Sequence, residues 1–209
     1  MIFIFLGPPG SGKGTQAKKL AEKYSIPHIA LGDILREAIR EGNEVGKLAA
    51  QYVEAGKLVP DPVTIKITRE RISRPDCMNG FIIDGFPRSL PQARALDEML
   101  GGMDHQVVYI EVPLQQIVAR NTGRLSCPVC GAVYHVKNNP PKQAGICDRC
   151  GGQLYQRKDD TKDVIETRFK VYDQSTAPVI EYYKDRLVRV DGSGEIDAVF
   201  LRLLRALRI

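Results

Sequence analysis

The run Gly7-Pro8-Pro9-Gly10-Ser11-Gly12-Lys13-Gly14-Thr15 carries residue types at a spacing suited to phosphate chemistry. Glycines let the backbone curl until successive N–H groups point inward, a following helix adds the positive end of its dipole, and a lysine adds a point charge. Gly10, Ser11, Gly12, Lys13, Gly14 and Thr15 therefore read as a nest for phosphates. The strict form of such a loop has Ser or Thr directly after the lysine. Here Gly14 intervenes, so Thr15 is not assigned as a magnesium ligand. A second chemistry lies in Cys127-x-x-Cys130 and Cys147-x-x-Cys150. Two knuckles of this kind close one tetrahedral four-thiolate site, and a site with no open position is structural. Zinc is expected there. Two disulfides, or iron in the same cage, are the alternatives. Cys77, in Pro75-Asp76-Cys77-Met78-Asn79, has no partner cysteine nearby in sequence and reads as a buried bystander.

These residues need a scaffold, and the hydrophobic pattern supplies one. Ile2–Leu6, Gly80–Asp84, Val107–Val112 and Leu187–Val190 are continuous apolar runs, with a shorter candidate at His28–Ile29. Such runs suit parallel strands covered on both faces. Helical patterns lie between them, one of them over Gln16–Tyr24. The clearest is Ile196, Val199, Phe200, Leu203, Leu204 and Leu207, one stripe of a C-terminal helix. Strand and helix in alternation predict an α/β doubly wound sheet. Two segments break the rhythm. Residues 30–59 read as short glycine-punctuated helices, and residues 126–160 are polar and rich in Cys, Gly and Pro, which calls for a staple. The expected organisation is a core of residues 1–29, 60–125 and 161–209 with those two insertions.

A chain of 209 residues that is 43% hydrophobic can close a real core, which excludes wholesale disorder. Its 30 Lys and Arg stand against 25 Asp and Glu, too mixed for a dedicated nucleic-acid binder but compatible with a small anionic ligand. No apolar run approaches the length of a membrane span, and no basic segment precedes the apolar start. A cytoplasmic setting is expected, with neither membrane nor nucleic acid as partner.

The phosphate loop, followed by Gly32-Asp33-Ile34-Leu35-Arg36 and Asp84-Gly85-Phe86-Pro87-Arg88, resembles the nucleoside monophosphate kinases, and among them the bacterial adenylate kinases with a long lid. The match runs in order from residue 1 to about residue 194. The resemblance implies a P-loop core with a five-stranded parallel sheet, a helical insertion at 30–59 over the acceptor and a zinc-knuckle lid at 126–160 over the donor. It implies reversible, magnesium-dependent transfer of the terminal phosphoryl of ATP to AMP, giving two ADP, by a monomer. Lys13, Arg88, Arg124, Arg157, Arg168 and Asp84 would be the catalytic set, Asp84 orienting magnesium through water, with Asp33 beside it. Besides the phosphate loop, Arg120, Arg124, Val133, Tyr134 and Gly194 would contact ATP, with His135 next to them. AMP would meet Leu31, Arg36, Lys57, Leu58, Val59, Gly85, Phe86, Pro87, Arg88, Gln92, Arg157 and Arg168. Asp159 and Asp160 look like lid carboxylates that pair with these arginines on closure. An amide at Gln92 presents donor and acceptor together, as an adenine edge requires. The sequence departs from the family at Ala30-Leu31, where Ser-Thr is usual, so any hydrogen bond made by that hydroxyl is absent.

Rival readings are a kinase for another nucleoside monophosphate, or a P-loop switch with a nucleic-acid-binding zinc ribbon. Against the second, Gly85 rather than an acidic residue follows Asp84, no Asn-Lys-x-Asp occurs, and the lid lysines and arginines are interleaved with Asp148, Asp159 and Asp160. His28 and His105 lie outside every motif and read as structural.

Overall fold

A computed structural model describes residues 1–209, the side chain of Leu114 excepted. Strand β1 (Ile2–Leu6) is buried along its whole length. Its side chains alternate between faces, as a strand's must. Ile2, Ile4 and Leu6 enter one hydrophobic layer, while Phe3 and Phe5 enter the other. The phosphate loop follows, then helix α1 (Lys13–Tyr24). Strand β2 (His28–Ala30) passes directly into α2 (Leu31–Glu41), and α3 (Glu44–Val53) follows, its start capped by Asn43 Oδ1 accepting from Gly46 N at 2.8 Å. Helix α4 (Asp61–Ile72), with a proline in its first turn, returns the chain to strand β3 (Phe81–Asp84). Helix α5 (Leu90–Leu100), strand β4 (His105–Glu111) and helix α6 (Leu114–Thr122) complete this half.

The antiparallel pair β5 (Arg124–Ser126) and β6 (Val133–His135) opens the cysteine-rich segment. Helix α7 (Lys162–Val171) then runs through a π-helical turn, Tyr172–Thr176, into α8 (Ala177–Tyr182), and strand β7 (Leu187–Asp191) and helix α9 (Ile196–Leu207) end the chain. The main sheet is parallel, in the order β2-β3-β1-β4-β7. The expected α/β doubly wound, five-stranded core is therefore present. Because β1 is flanked by β3 on one side and β4 on the other, the crevice at its C-terminal end is the place where open α/β sheets gather ligands. The phosphate loop leaves β1 there, and Asp84 and Arg88 leave β3 beside it.

The C-terminal stripe packs as its periodicity requires. Val199, Leu203 and Leu207 are buried against Ala17 and Leu20 of α1 and against Phe3 and Phe5. This contact supports the helix that carries Lys13. Leu203 is fully buried. Leu203→Ala is expected to lower unfolding free energy by about 2–5 kcal/mol in urea titrations. A loss below about 1 kcal/mol would mean that α9 does not brace α1.

Candidate active site

The phosphate loop is shaped by close approaches. Ser11 N donates to Pro8 O at 3.1 Å, and Gly10 and Gly12 have φ of 82° and 88°, a region that favours glycine. At Gly10 a Cβ would also overlap Asn121 Nδ2. Asn121, fully buried on α6, donates from Nδ2 to Pro9 O at 3.2 Å and to Ile117 O at 3.0 Å. It ties the loop to the helix that leads into the lid, and the sequence pointed to no role for it. Gly14 has a different cause. A Cβ there would lie 2.8 Å from Asp84 Oδ2, so glycine lets the strand-end carboxylate reach the loop without displacement.

Asp84 is enclosed. Burial pushes its carboxyl up, but the His28 ring and the charges of Lys13 and Arg88 outweigh burial and hold it below the usual range. His28 Nε2 stands 3.7 Å from Asp84 Oδ2, too far for a hydrogen bond but close enough for an electrostatic contact. His28, which the sequence left as merely structural, therefore borders the site. Asp84 Oδ1 is buried with no protein partner among the described residues. An oxygen of this kind fits a magnesium water shell, which takes carboxylate and water ligands.

Cations converge on the same place from distant segments. Lys13 comes from the loop, Arg36 from α2, Arg88 from the turn after β3, Arg124 from β5, Arg157 from the lid's end and Arg168 from α7. Two adjoining clefts meet at Gly56, Leu58, Arg88 and Arg168. One runs along Gly7, Lys13, Gly85 and Pro87. The other runs past Leu31, Arg36, Lys57, Val59 and Gln92. Burial, reinforced by Arg88, Arg168 and Arg124 and opposed by Asp84, brings Lys13 down to about 8. Burial and neighbouring guanidinium groups bring Arg157 and Arg168 to about 10. A shift from 10.5 to about 8 corresponds to about 3 kcal/mol of disfavoured charge, which a bound polyanion would relieve.

Carboxylates hold the arginines in place meanwhile. Arg124 grips Asp160 with two bonds, one of 2.7 Å from Nε to Oδ2. Arg168 Nη1 donates to Asp159 Oδ2 at 2.9 Å, Arg157 Nη2 lies 3.5 Å from Asp33 Oδ1, and Arg36 also pairs with Asp33. Arg88 is positioned through its backbone and its Nε. Thr176 Oγ1, in the π-helical turn, donates to Arg88 O at 3.0 Å, Arg88 N donates to Gln92 Oε1 at 2.7 Å, and Arg88 Nε donates to Gly85 O at 2.7 Å.

In the second cleft Leu31 and Val59 are buried and give an apolar wall. Phe86, expected at the acceptor, is fully buried in the core behind it. Gln92 differs from expectation in what it has free. Its Nε2 donates to Asp61 Oδ1 at 2.7 Å and to Thr64 Oγ1 at 3.1 Å, so the donor half of the amide is already in use. Asp61, Thr64 and Ser89 were invisible to motif reading, because each lies in the first turn or cap of a helix where such residues are common.

On the donor side Arg120 bridges Ser11 O at 3.3 Å and Gly192 O at 3.0 Å, which joins the phosphate loop to the turn containing Gly194. Arg202 braces that turn through Ser193 O at 2.7 Å. Val133 is half-buried on β6. Tyr134 points into the lid, its hydroxyl 3.5 Å from Cys147 Sγ and accepting from Asp148 N at 2.9 Å. His135 Nδ1 accepts from Lys137 N and Asn138 N, which leaves Nε2 to donate to Ala119 O at 3.0 Å. These two side chains support the lid.

The four lid sulfurs lie within 4.8 Å of one another. Cys127 Sγ is 3.5 Å from Cys150 Sγ, and Cys130 Sγ is 3.6 Å from Cys147 Sγ. Disulfides, at about 2.05 Å, do not fit these separations. A zinc tetrahedron with bonds of about 2.3 Å has edges near 3.8 Å and does fit. Burial would raise the Cys147 thiol, but the Tyr134 hydroxyl and the backbone N–H groups of Arg149 and Cys150 bring it down, while the neighbouring sulfurs push the Cys150 thiol up. Elsewhere, Cys77 is buried and accepts from Arg71 Nη1 at 3.1 Å, and His105 Nδ1 lies 2.9 Å from Met103 O. The burial of Cys77 agrees with its reading from the sequence.

A family model described as adenylate kinase matches residues 5–188. An adenylate kinase of Archaeoglobus fulgidus is 52% identical over 205 residues, covering 96% of this chain and 94% of that protein. One of Syntrophobacter fumaroxidans is 50% identical over 208 residues, covering 97% and 98%. One of Symbiobacterium thermophilum is 50% identical over 213 residues, covering 100% and 99%.

The depressed Lys13 has a measurable consequence. Bound phosphate would return the ammonium toward its ordinary 10.5, so nucleoside triphosphate binding above pH 8 must take up a proton. Affinity is expected to fall as pH rises from 8 toward 10, by up to about tenfold per unit, with proton uptake seen in calorimetry across buffers of different ionisation enthalpy. A flat affinity profile over that range would contradict the assignment.

Proposed function

The chain belongs to the adenylate kinase family, and from that premise we propose that it transfers the terminal phosphoryl of ATP to AMP, reversibly and with magnesium, giving two ADP in the service of adenine nucleotide balance. It is a phosphotransferase. The observation that carries this reading is that Lys13, Arg36, Arg88 and Arg168 line two adjoining clefts, with Arg124 and Arg157 within electrostatic reach of them. A switch or a hydrolase needs one polyphosphate site. Phosphoryl exchange between nucleotides needs two polyanions brought end to end, and the shared wall at Arg88 and Arg168 suits that arrangement.

Phosphoryl transfer asks little covalent help from a protein, which has to align the reactants, screen their charge and exclude water. The loop N–H groups and Lys13 would hold the donor phosphates, and Arg36 and Arg88 the acceptor phosphate. Arg124, Arg157 and Arg168 would then close on the group in transit, exchanging Asp159, Asp160 and Asp33 for phosphate oxygens. Planar guanidinium forks stay charged and bind such oxygens two at a time. Asp84 would hold magnesium through its water shell, where the ion supplies further screening of the phosphates. No general base is required by this scheme.

Residues 30–59 and 126–160 are read as the two lobes that shut over acceptor and donor. Their contacts support this. Lys158 Nζ reaches Glu54 at 2.9 Å, Arg149 reaches Glu22 at 2.8 Å, and Lys18 Nζ donates to Cys130 O at 2.7 Å. Zinc in the thiolate cage would be the lid's structural staple. No helix is long and apolar enough to cross a membrane. A monomer in the cytoplasm, where thiols stay reduced, completes the reading.

A matrix of donor triphosphates against acceptor monophosphates tests the activity. ADP formation from ATP and AMP should exceed that from any other pair. Acceptor-independent hydrolysis with no diphosphate from any monophosphate would overturn it. Metal analysis should find about one zinc per chain, and stripping it with a thiol reagent and chelator should make the lid sensitive to protease before the core unfolds. A metal-free, folded chain with all four lid thiols reactive would refute the staple.

A further inference from the structure

Asp61, Ser89, Gln92 and Thr64 form a closed polar network where α4 and α5 begin. Asp61 Oδ1 accepts from Gln92 Nε2 at 2.7 Å, and Asp61 Oδ2 accepts from Ser89 Oγ at 2.9 Å. Ser89 Oγ accepts in turn from Gln92 N at 3.3 Å. Thr64 Oγ1 donates to Asp61 O at 3.0 Å, and so can only accept from Gln92 Nε2, at 3.1 Å. At the other end of the amide, Gln92 Oε1 accepts from Arg88 N at 2.7 Å.

This wiring fixes which way the amide faces. Turning it over would set its NH2 against the Arg88 N–H and its oxygen against the Asp61 carboxylate, two repulsive contacts in a buried place. Gln92 is 2% exposed yet lines the second cleft, beside Leu31 and Val59. Both of its amide hydrogens are committed, so what the side chain has left for a ligand is the second lone pair of Oε1. At this point the cleft asks its occupant for a hydrogen-bond donor.

We propose that Asp61 is a specificity-determining positioning residue: by holding the Gln92 amide in one orientation, it makes the acceptor site select a base with an exocyclic amino group over a base with a carbonyl there. A 6-aminopurine gives a hydrogen to Oε1. A 6-oxopurine sets oxygen against oxygen, and both are left unsatisfied on desolvation. The proposal rests on the reading that the acceptor is AMP and adds how AMP is told from its 6-oxo analogue. Asp61 acts through Gln92 and does not itself touch the nucleotide.

The test compares kcat/KM for AMP and for inosine monophosphate in the full chain, wild type and variants. Asp61→Ala frees one amide hydrogen to point at the base, and the AMP:IMP ratio should drop by about tenfold, through gain with IMP as well as loss with AMP. Asp61→Asn keeps an oxygen facing Gln92 and should restore the wild-type ratio, which a general loss of packing would not do. Thr64→Val removes the other acceptor and should lower the ratio in the same direction, and it carries the test if Asp61→Ala does not fold. Ratios within twofold of wild type for every folded variant would overturn the proposal. If wild type turns over AMP while the ratios stay unchanged, only the lock fails. If wild type does not phosphorylate AMP, the functional reading fails and the lock with it.

Discussion

Mutual repulsion among buried cations is the constraint on which the rest of this structure depends. Lys13, Arg88, Arg157 and Arg168 all have their charged forms disfavoured, first by burial and then by neighbouring arginines, Arg36 and Arg124 among them. Charges of one sign brought together at low dielectric separate unless something holds them. Here the hold is distributed. Asp160, with no side-chain exposure, clamps Arg124 and approaches Arg168, while Asp159 faces Arg168 and Arg36, and Asp33 faces Arg36 and Arg157. These carboxylates balance the cluster incompletely. The deficit suits an anionic ligand.

A cluster assembled from so many segments makes its geometry depend on the lobes. Arg124 and Arg157 belong to the hinge and the far end of the lid, and the lid has little core of its own. Its buried apolar cluster is Cys127, Ala132, Tyr134 and Cys147, too few groups to fold a segment unaided. The thiolate cage compensates, and Tyr134 joins the cage to β6. A metal held in that cage would therefore bear on the arginine cluster, because the cage adjoins the strand pair that carries Arg124. The tie from Asn121 to Pro9 O runs the other way, binding the phosphate loop to the helix on which the lid is hung.

What could be read from the sequence was local. The phosphate loop and the cysteine knuckles are short patterns whose chemistry follows from spacing, and the apolar runs marked the strands because a sheet covered on both faces leaves no room for alternation. The arginines were legible as a set only because neighbouring motif residues specified them. The Asp61–Gln92–Thr64 network was not legible. Gln92 stood out by its amide, but its partners Asp61 and Thr64 lie about thirty positions away in the chain, and each alone looks like an ordinary helix-start residue. Asn121, Thr176 and His28 were missed for the same reason. Their partners are Pro9, Arg88 and Asp84, distant in sequence, and no periodicity announces such contacts. Tyr134 shows the converse. Its place in the lid hairpin was readable, but whether its ring faced a ligand or the cage depended on packing.

Gly14 links the local pattern to the tertiary one. In the strict loop, the residue after the lysine carries a hydroxyl that ligates the metal directly. In this chain a carboxylate arrives at that spot from the end of β3, and Asp84 Oδ2 would stand 2.8 Å from any Cβ on residue 14. A side chain at position 14 would displace Asp84, and with it the balance among Asp84, Lys13 and Arg88 that keeps the carboxylate ionised despite burial. Glycine at position 14 thus leaves room beside the loop for the carboxylate that the neighbouring strand supplies. The parallel register of β1 with β3, which sets Phe5 opposite Asp84, places that group beside the loop.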